Sequence, residues 1–109
     1  MTLREKQSLF VRLIGQLIVQ AHYLGFELTF GEAHRSRAEA RRLGFTNSNH
    51  TRRLAFDLNL FKNGRYLRTS TAYRPLGDWW VAQHPLCRWG GDFTKPDGNH
   101  FALFHLGIA

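Results

Sequence analysis

His50, Asp57 and His100 are the side-chain types that bind a divalent metal ion, and Asp97 stands just ahead of the last of them. A catalytic zinc site takes three protein ligands from histidine and carboxylate. It keeps a fourth position for water, which the metal makes acidic enough to ionise near neutral pH. His50, Asp57 and His100 supply such a set. Hydrolysis at a site of this kind also needs a base that takes the proton from water and passes it to the leaving amine. Asp97 can do so from a turn beside His100 without being a ligand. Spacing alone does not single these residues out, because the chain has six histidines and a lone histidine commonly serves structure.

The elements that must carry these residues follow from hydrophobic periodicity. Leu54, Phe56, Leu58 and Leu60 alternate with Ala55, Asp57 and Asn59, which predicts a strand with one apolar face and with Asp57 on the other, beside a small alanine. His50 precedes that strand in a loop. A final strand over His100 to Leu106 places His100 on one face with Ala102, so both candidate strand ligands have a small neighbour that leaves room for a metal and a substrate. Between them, Asn63-Gly64 fits a tight hairpin turn, with Tyr66 and Leu67 starting the return strand. Thr69 to Tyr73 reads as a polar loop, Pro75 as the first turn of a helix, and Trp79, Trp80 and Val81 as its buried side. His84-Pro85 ends that helix. Leu86 to Phe93 reads as a strand bent at Gly90-Gly91, and Lys95 to Gly98 as a turn.

Upstream, Thr2 and Glu5 form a capping box for a helix over residues 3 to 23, whose apolar residues Leu3, Phe10, Leu13, Ile14, Leu17, Ile18, Ala21 and Leu24 form one core-facing stripe ended by Gly25. Phe26, Leu28 and Phe30 predict a strand that runs on toward Glu32 and Arg35. A short helix follows around Ser36 to Leu43, stopped by Gly44. Helices and strands mix without regular alternation and at least one pairing is a hairpin. The predicted class is α+β: one small domain over residues 1–109, with a central antiparallel sheet flanked by helices.

The 109 residues suit a single hydrophobic core, and 43% hydrophobic with 14% aromatic residues exclude a disordered chain. A formal charge of +7 predicts attraction to polyanions, whether nucleic acid, anionic lipid or a phosphate- and carboxylate-rich envelope. Cys87 is the one cysteine, so neither an internal disulfide nor a cysteine-built zinc site is available; in a strand it reads as a buried apolar residue. No signal peptide or membrane-spanning stretch is visible, which predicts cytoplasmic accumulation and release to any outside target by another factor.

Ser48-x-His50-x-x-x-x-Ala55-x-Asp57, followed by Asp97-x-x-His100, resembles the signature of the zinc peptidases that cut bacterial cell-wall peptides. These comprise D-alanyl-D-alanine carboxypeptidases and dipeptidases and phage L-alanyl-D-glutamate endopeptidases, with a core shared with the hedgehog signalling domain. His34-Arg35-Ser36 is similar to the family's aromatic-Arg-Thr element, Ala55 to Phe61 to its ligand strand, and Trp89-Gly90-Gly91-Asp92-Phe93 to the segment leading to the last ligand. The resemblance spans about residues 26 to 104. It implies one zinc ion on His50, Asp57 and His100, Asp97 as catalytic base, Arg35 on the developing oxyanion or a substrate carboxylate, and Ser48 assisting substrate by hydrogen bonding. It further implies peptidoglycan as partner, with an L-alanyl-D-glutamate endopeptidase acting in phage or prophage lysis as the nearest branch. D-alanyl-D-alanine carboxypeptidase is the alternative. No separate wall-binding domain, nucleic-acid partner or membrane insertion is expected, and a monomer is.

Two departures from the family pattern stand out. Arg53 occupies a position where the family often has glycine, which predicts a different loop conformation. Asp97 stands where carboxypeptidases usually carry glutamate. A reading of another class, a small nucleic-acid-binding module using Arg37, Arg41 and Arg42, is permitted by the charge, but no nucleic-acid-binding motif accompanies it. A metal-bound domain without catalysis, as in the hedgehog branch, sits poorly with an intact Asp97. The three tryptophans read as core before they read as stacking platforms, Tyr73 as a possible lining residue, and His105 as facing away from His100.

Overall fold

The computed structural model describes residues 1–32, 37–42 and 49–109. Chain order is α1 (Leu3–Tyr23), β1 (Glu27–Phe30), α2 (Arg37–Arg42), a 3-10 turn (Asn49–Arg52), β2 (Ala55–Lys62), β3 (Arg65–Tyr66), α3 (Ser70–Gln83), β4 (Cys87–Trp89), a second 3-10 turn (Gly90–Asp92) and β5 (His100–Leu103). The strands form one antiparallel sheet in the order β1-β2-β5-β4, with β3 as the hairpin mate of β2. The class is α+β, as the sequence predicts.

α1 starts at the predicted capping box: Glu5 N–H donates to Thr2 Oγ1 at 3.1 Å and Thr2 N–H to Glu5 Oε1 at 2.9 Å. It stops at Gly25, whose φ of +89° allows Gly25 N–H to reach His22 O and Phe26 N–H to reach Ala21 O, both at 3.0 Å. This pair of bonds satisfies carbonyls that the helix end leaves open. The buried stripe of α1, Leu9, Phe10, Leu13, Ile14, Leu17 and Ala21, packs on the sheet and on α3. Trp80 is the centre of that packing. Its ring meets Phe10 of α1 and Phe101 of β5 edge-on at 5.9 and 6.0 Å, and its Nε1–H donates to Arg88 O and Ala102 O.

Three details of the sequence reading change. α3 begins at Ser70, not near Pro75, because Thr69 caps it by accepting from Ala72 N–H at 3.3 Å. Pro75 therefore lies inside the helix. The bond it cannot donate would have gone to Thr71, an exposed residue whose carbonyl water can reach. The buried side of α3 is Tyr73, Leu76, Gly77 and Trp80, with Val81 exposed, since three consecutive helical residues cannot share one face. The last strand ends at Leu103 rather than Leu106, which has positive φ in the turn closed by the His105–Ile108 bridge.

The Asn63-Gly64 hairpin forms as predicted, with φ of +53° and +75°. Cys87 is buried, and burial pushes its thiol up to about 12. Among the described residues no helix is long and apolar enough to cross a membrane. On α2, Arg42 pairs with Glu39 through Nε at 2.9 Å, so this arginine of the basic stretch has a partner within its own helix.

Candidate metal centre

β2 and β5 pair so that Ala55 faces Ala102, Phe56 faces Phe101 and Asp57 faces His100. Alternation then sends Phe101 toward the helices and His100 with Asp57 to the opposite face. The two alanines beside them pair with each other on the same face and are buried. On the other edge of β2, Gly31 N–H donates to Asp57 O at 2.8 Å and Asp57 N–H to Glu32 O at 2.7 Å. Asp57 is thus fixed between two neighbouring segments.

His50 arrives from the 3-10 turn rather than from an irregular loop. The turn is anchored by its neighbour Asn49, which is buried and donates from Nδ2 to Leu103 O at 2.8 Å and Ile108 O at 2.9 Å. It closes with Arg53 N–H on His50 O and Leu54 N–H on Asn49 O, and Arg53 takes φ +56°. The arginine adopts the left-handed conformation for which glycine is suited. The turn at Arg53 is thus one that a glycine could also make.

His50 Nε2 and His100 Nδ1 each lie 3.3 Å from Asp57 Oδ1. One donor atom from each residue falls within 4.8 Å of the others, and the two rings meet edge-on at 5.2 Å. A tetrahedral zinc with bonds of ~2.0 Å has donor atoms about 3.3 Å apart, which is the separation of each histidine nitrogen from Asp57 Oδ1. Both histidines are buried, and His100 Nε2 has no hydrogen-bond partner among the described residues.

Burial works to raise the Asp57 carboxyl, but hydrogen bonds from His100 and His50 outweigh it and hold the group below the ordinary carboxylate range. Asp97 goes the other way. Burial and the nearby Asp57 charge raise it, against the pull of His100 and His50, although solvent at this exposed position screens these effects. Two carboxylates pushed apart in this way are suited to different tasks, one to remain charged as a ligand and one to accept a proton.

The turn carrying Asp97 is held from several sides. Asp97 N–H donates to Gly90 O at 2.9 Å, and His100 N–H to Asp97 O at 3.1 Å. The indole Nε1–H of buried Trp89 donates to Gly98 O at 2.7 Å. A Cβ at Gly90 would collide with Asp97 O and with His100 Cβ, so only glycine lets these segments approach. Phe93 packs on the His100 ring at 5.5 Å between centroids.

The structure therefore brings together His50, Asp57 and His100 and ties Asp97 to the same corner by backbone bonds. Arg35 and Ser48 lie outside the described residues. His105 is elsewhere, with Nδ1 3.0 Å from Lys6 Nζ. Tyr73 is a structural bridge, donating from its hydroxyl to Leu67 O and accepting from Leu60 N–H. Sequence reasoning missed Asn49 and the role of Trp89 in holding Gly98. Neither has a local signal, since each acts on residues remote in the chain or across a turn.

The sequence profile of a family described as D-alanyl-D-alanine carboxypeptidase matches residues 43–103, more than half of the chain and all three clustered residues. The chain belongs to that peptidase family. The crystal structure of the Serratia marcescens L-Ala D-Glu endopeptidase ChiX is similar at a TM-score of 0.61 with 24% identity, over 85% of this chain and 78% of that one. At that identity the likeness is one of fold. A search among curated proteins returned no match.

Proposed function

We propose that this family member is a zinc-dependent peptidase that hydrolyses a peptide bond in peptidoglycan stems, foremost the L-alanyl-D-glutamate bond, in phage or prophage lysis. The observation that carries the reading is the convergence of His50 and His100 on Asp57, each 3.3 Å from its Oδ1, with Asp97 on the turn bonded to His100. The fold likeness to an L-Ala D-Glu endopeptidase supports the choice of bond, and so does aspartate at the base position.

His50, Asp57 and His100 would hold one zinc ion. When bound, the ion supplies Lewis acidity, lowering the pKa of water and polarising a carbonyl. The chain's own residues do the rest. Asp97, its proton affinity raised by its surroundings, takes a proton from the attacking water and returns it to the leaving amine. Arg35 neutralises charge on the carbonyl oxygen as it develops, and Ser48 hydrogen-bonds substrate beside the metal. The net charge of +7 draws the protein to an anionic wall.

The test joins metal analysis to product analysis. Purified protein is expected to carry one zinc per chain and to lose it in Asp57→Ala. Mass spectrometry of fragments released from purified peptidoglycan is expected to show a new D-glutamyl amino end. Release of free D-alanine instead would favour the carboxypeptidase reading that the family description supports. Zinc-loaded protein that releases neither product would overturn the function.

A further inference from the structure

A cleft of about 240 Å³ opens beside Asp97, between the β3–α3 connection and the turn at residues 96–99. Asp97 is on one wall. On the other are Tyr66, Arg68 and the start of α3 at Thr69 and Ser70. We propose that this cleft is a substrate subsite for a peptide carboxylate, gripped by Arg68. The inference rests on the peptidase reading and extends it to what the enzyme recognises.

Both walls are fixed before any ligand arrives. Next to Arg68, Leu67 N–H donates to Leu60 O at 2.9 Å, and Leu67 O accepts from Tyr73 Oη at 2.9 Å. On the other side of Arg68, Thr69 caps α3. The Arg68 guanidinium lies over the Tyr66 ring at 5.5 Å, and no carboxylate among the described residues pairs with it. Across the cleft, the opposite wall is held by Trp89 on Gly98 O, by Leu58 N–H on Asn99 O at 2.9 Å, and by Asn99 Nδ2 on Asn59 Oδ1 at 3.2 Å. Gly98 packs so closely on α3 that an added Cβ would come within 2.6 Å of Ser70 Cα. A planar guanidinium lying over a ring can bind a carboxylate through two parallel bonds.

The cleft is electrically one-sided. Arg68 and the positive end of the α3 dipole attract an anion at one wall, while Asp97 repels it at the other. A peptide entering the cleft is thereby oriented, with its free carboxylate toward Arg68 and the bond to be cut toward Asp97 and the metal ligands. Stem peptides bear such carboxylates close to their peptide bonds, so Arg68 would select for a free carboxylate over its carboxamide.

The test uses the whole zinc-loaded chain and a pair of short γ-D-glutamyl peptides lacking the residue ahead of the scissile bond. The pair differs only in carrying a free α-carboxylate or a carboxamide. Because neither can be cleaved, calorimetry reads binding independently of turnover. Wild-type protein is expected to bind the carboxylate roughly ten-fold more tightly than the amide. Arg68→Ala should bring the two to the same weak affinity, and Arg68→Lys should restore part of the gap. Equal affinities in the wild type, or an unchanged preference in Arg68→Ala, would overturn the proposal. Failure of the peptidase reading would appear separately, as full-length stem peptides left intact.

Discussion

The two faces of the sheet at β2 and β5 are built on different principles. On the helix-covered face, Leu58, Phe101 and Trp80 are wholly buried, and α1 and α3 supply an apolar lid. On the other, Asp57 and His100 stand in register, and the surrounding turns are fixed by polar bonds from Asn49 and to Gly90 O, with Trp89 reaching Gly98 O from the helix-covered side. Apolar burial is roughly additive in area and indifferent to direction, so it supplies stability. Hydrogen bonds and close glycine contacts supply little net stability but fix positions to fractions of an ångström. One face holds the fold, and the other holds the geometry.

The largest expected effect comes from breaking the first face. Trp80→Ala removes a fully buried ring and two hydrogen bonds, and truncations of this kind cost about 3–5 kcal/mol. Urea denaturation should show the loss as a lower midpoint with an unchanged slope. If the division between faces is sound, the molecules that remain folded will still bind one zinc. A variant that stays folded yet loses the metal would show that the helices position the ligands directly.

The converse test acts on the second face alone. Asp97 is exposed, and its side chain contributes nothing to the apolar core, so Asp97→Asn should keep both the melting temperature and the zinc. Hydrolysis of stem peptides should fall by roughly 10²–10⁴-fold in kcat, the range a positioned general base supplies. Full activity in this variant would remove Asp97 from the mechanism. A large drop in melting temperature would instead show that the turn, and not the base, is what the substitution disturbs.

The same contrast explains what could be read from the sequence. Periodicity reports burial, so the α1 stripe, the alternating β2 strand and the side on which Asp57 lies were all legible. So were local devices with fixed spacing, namely the Thr2–Glu5 box, Gly25 and Asn63-Gly64. Position-fixing contacts on the other face join residues far apart and leave no periodic trace. Asn49 reaches Leu103 and Ile108, and an isolated asparagine before a histidine gives no sign of it. The start of α3 was misplaced because Pro75 is a strong local signal, whereas the Thr69 cap that sets the start is a weak one. The ligand set itself needed the family resemblance, since six histidines in a short chain allow many pairings.

A smaller effect tests the contrast at a single backbone position. The end of α1 and the end of the His50 turn close with the same two bonds: Gly25 N–H to His22 O with Phe26 N–H to Ala21 O, and Arg53 N–H to His50 O with Leu54 N–H to Asn49 O. In both, the penultimate residue has positive φ, +89° at Gly25 and +56° at Arg53. A non-glycine residue in that conformation costs roughly 1–2 kcal/mol. Arg53→Gly removes the strain but gives the unfolded chain more freedom, which offsets about 0.4–1 kcal/mol. The net expectation is a gain of about 0.5–1 kcal/mol in a urea titration, with zinc content unchanged because the turn keeps its closure. A loss of stability instead would mean that the exposed Arg53 side chain contributes contacts worth more than the strain, and the turn would then owe its shape to arginine chemistry rather than tolerate it.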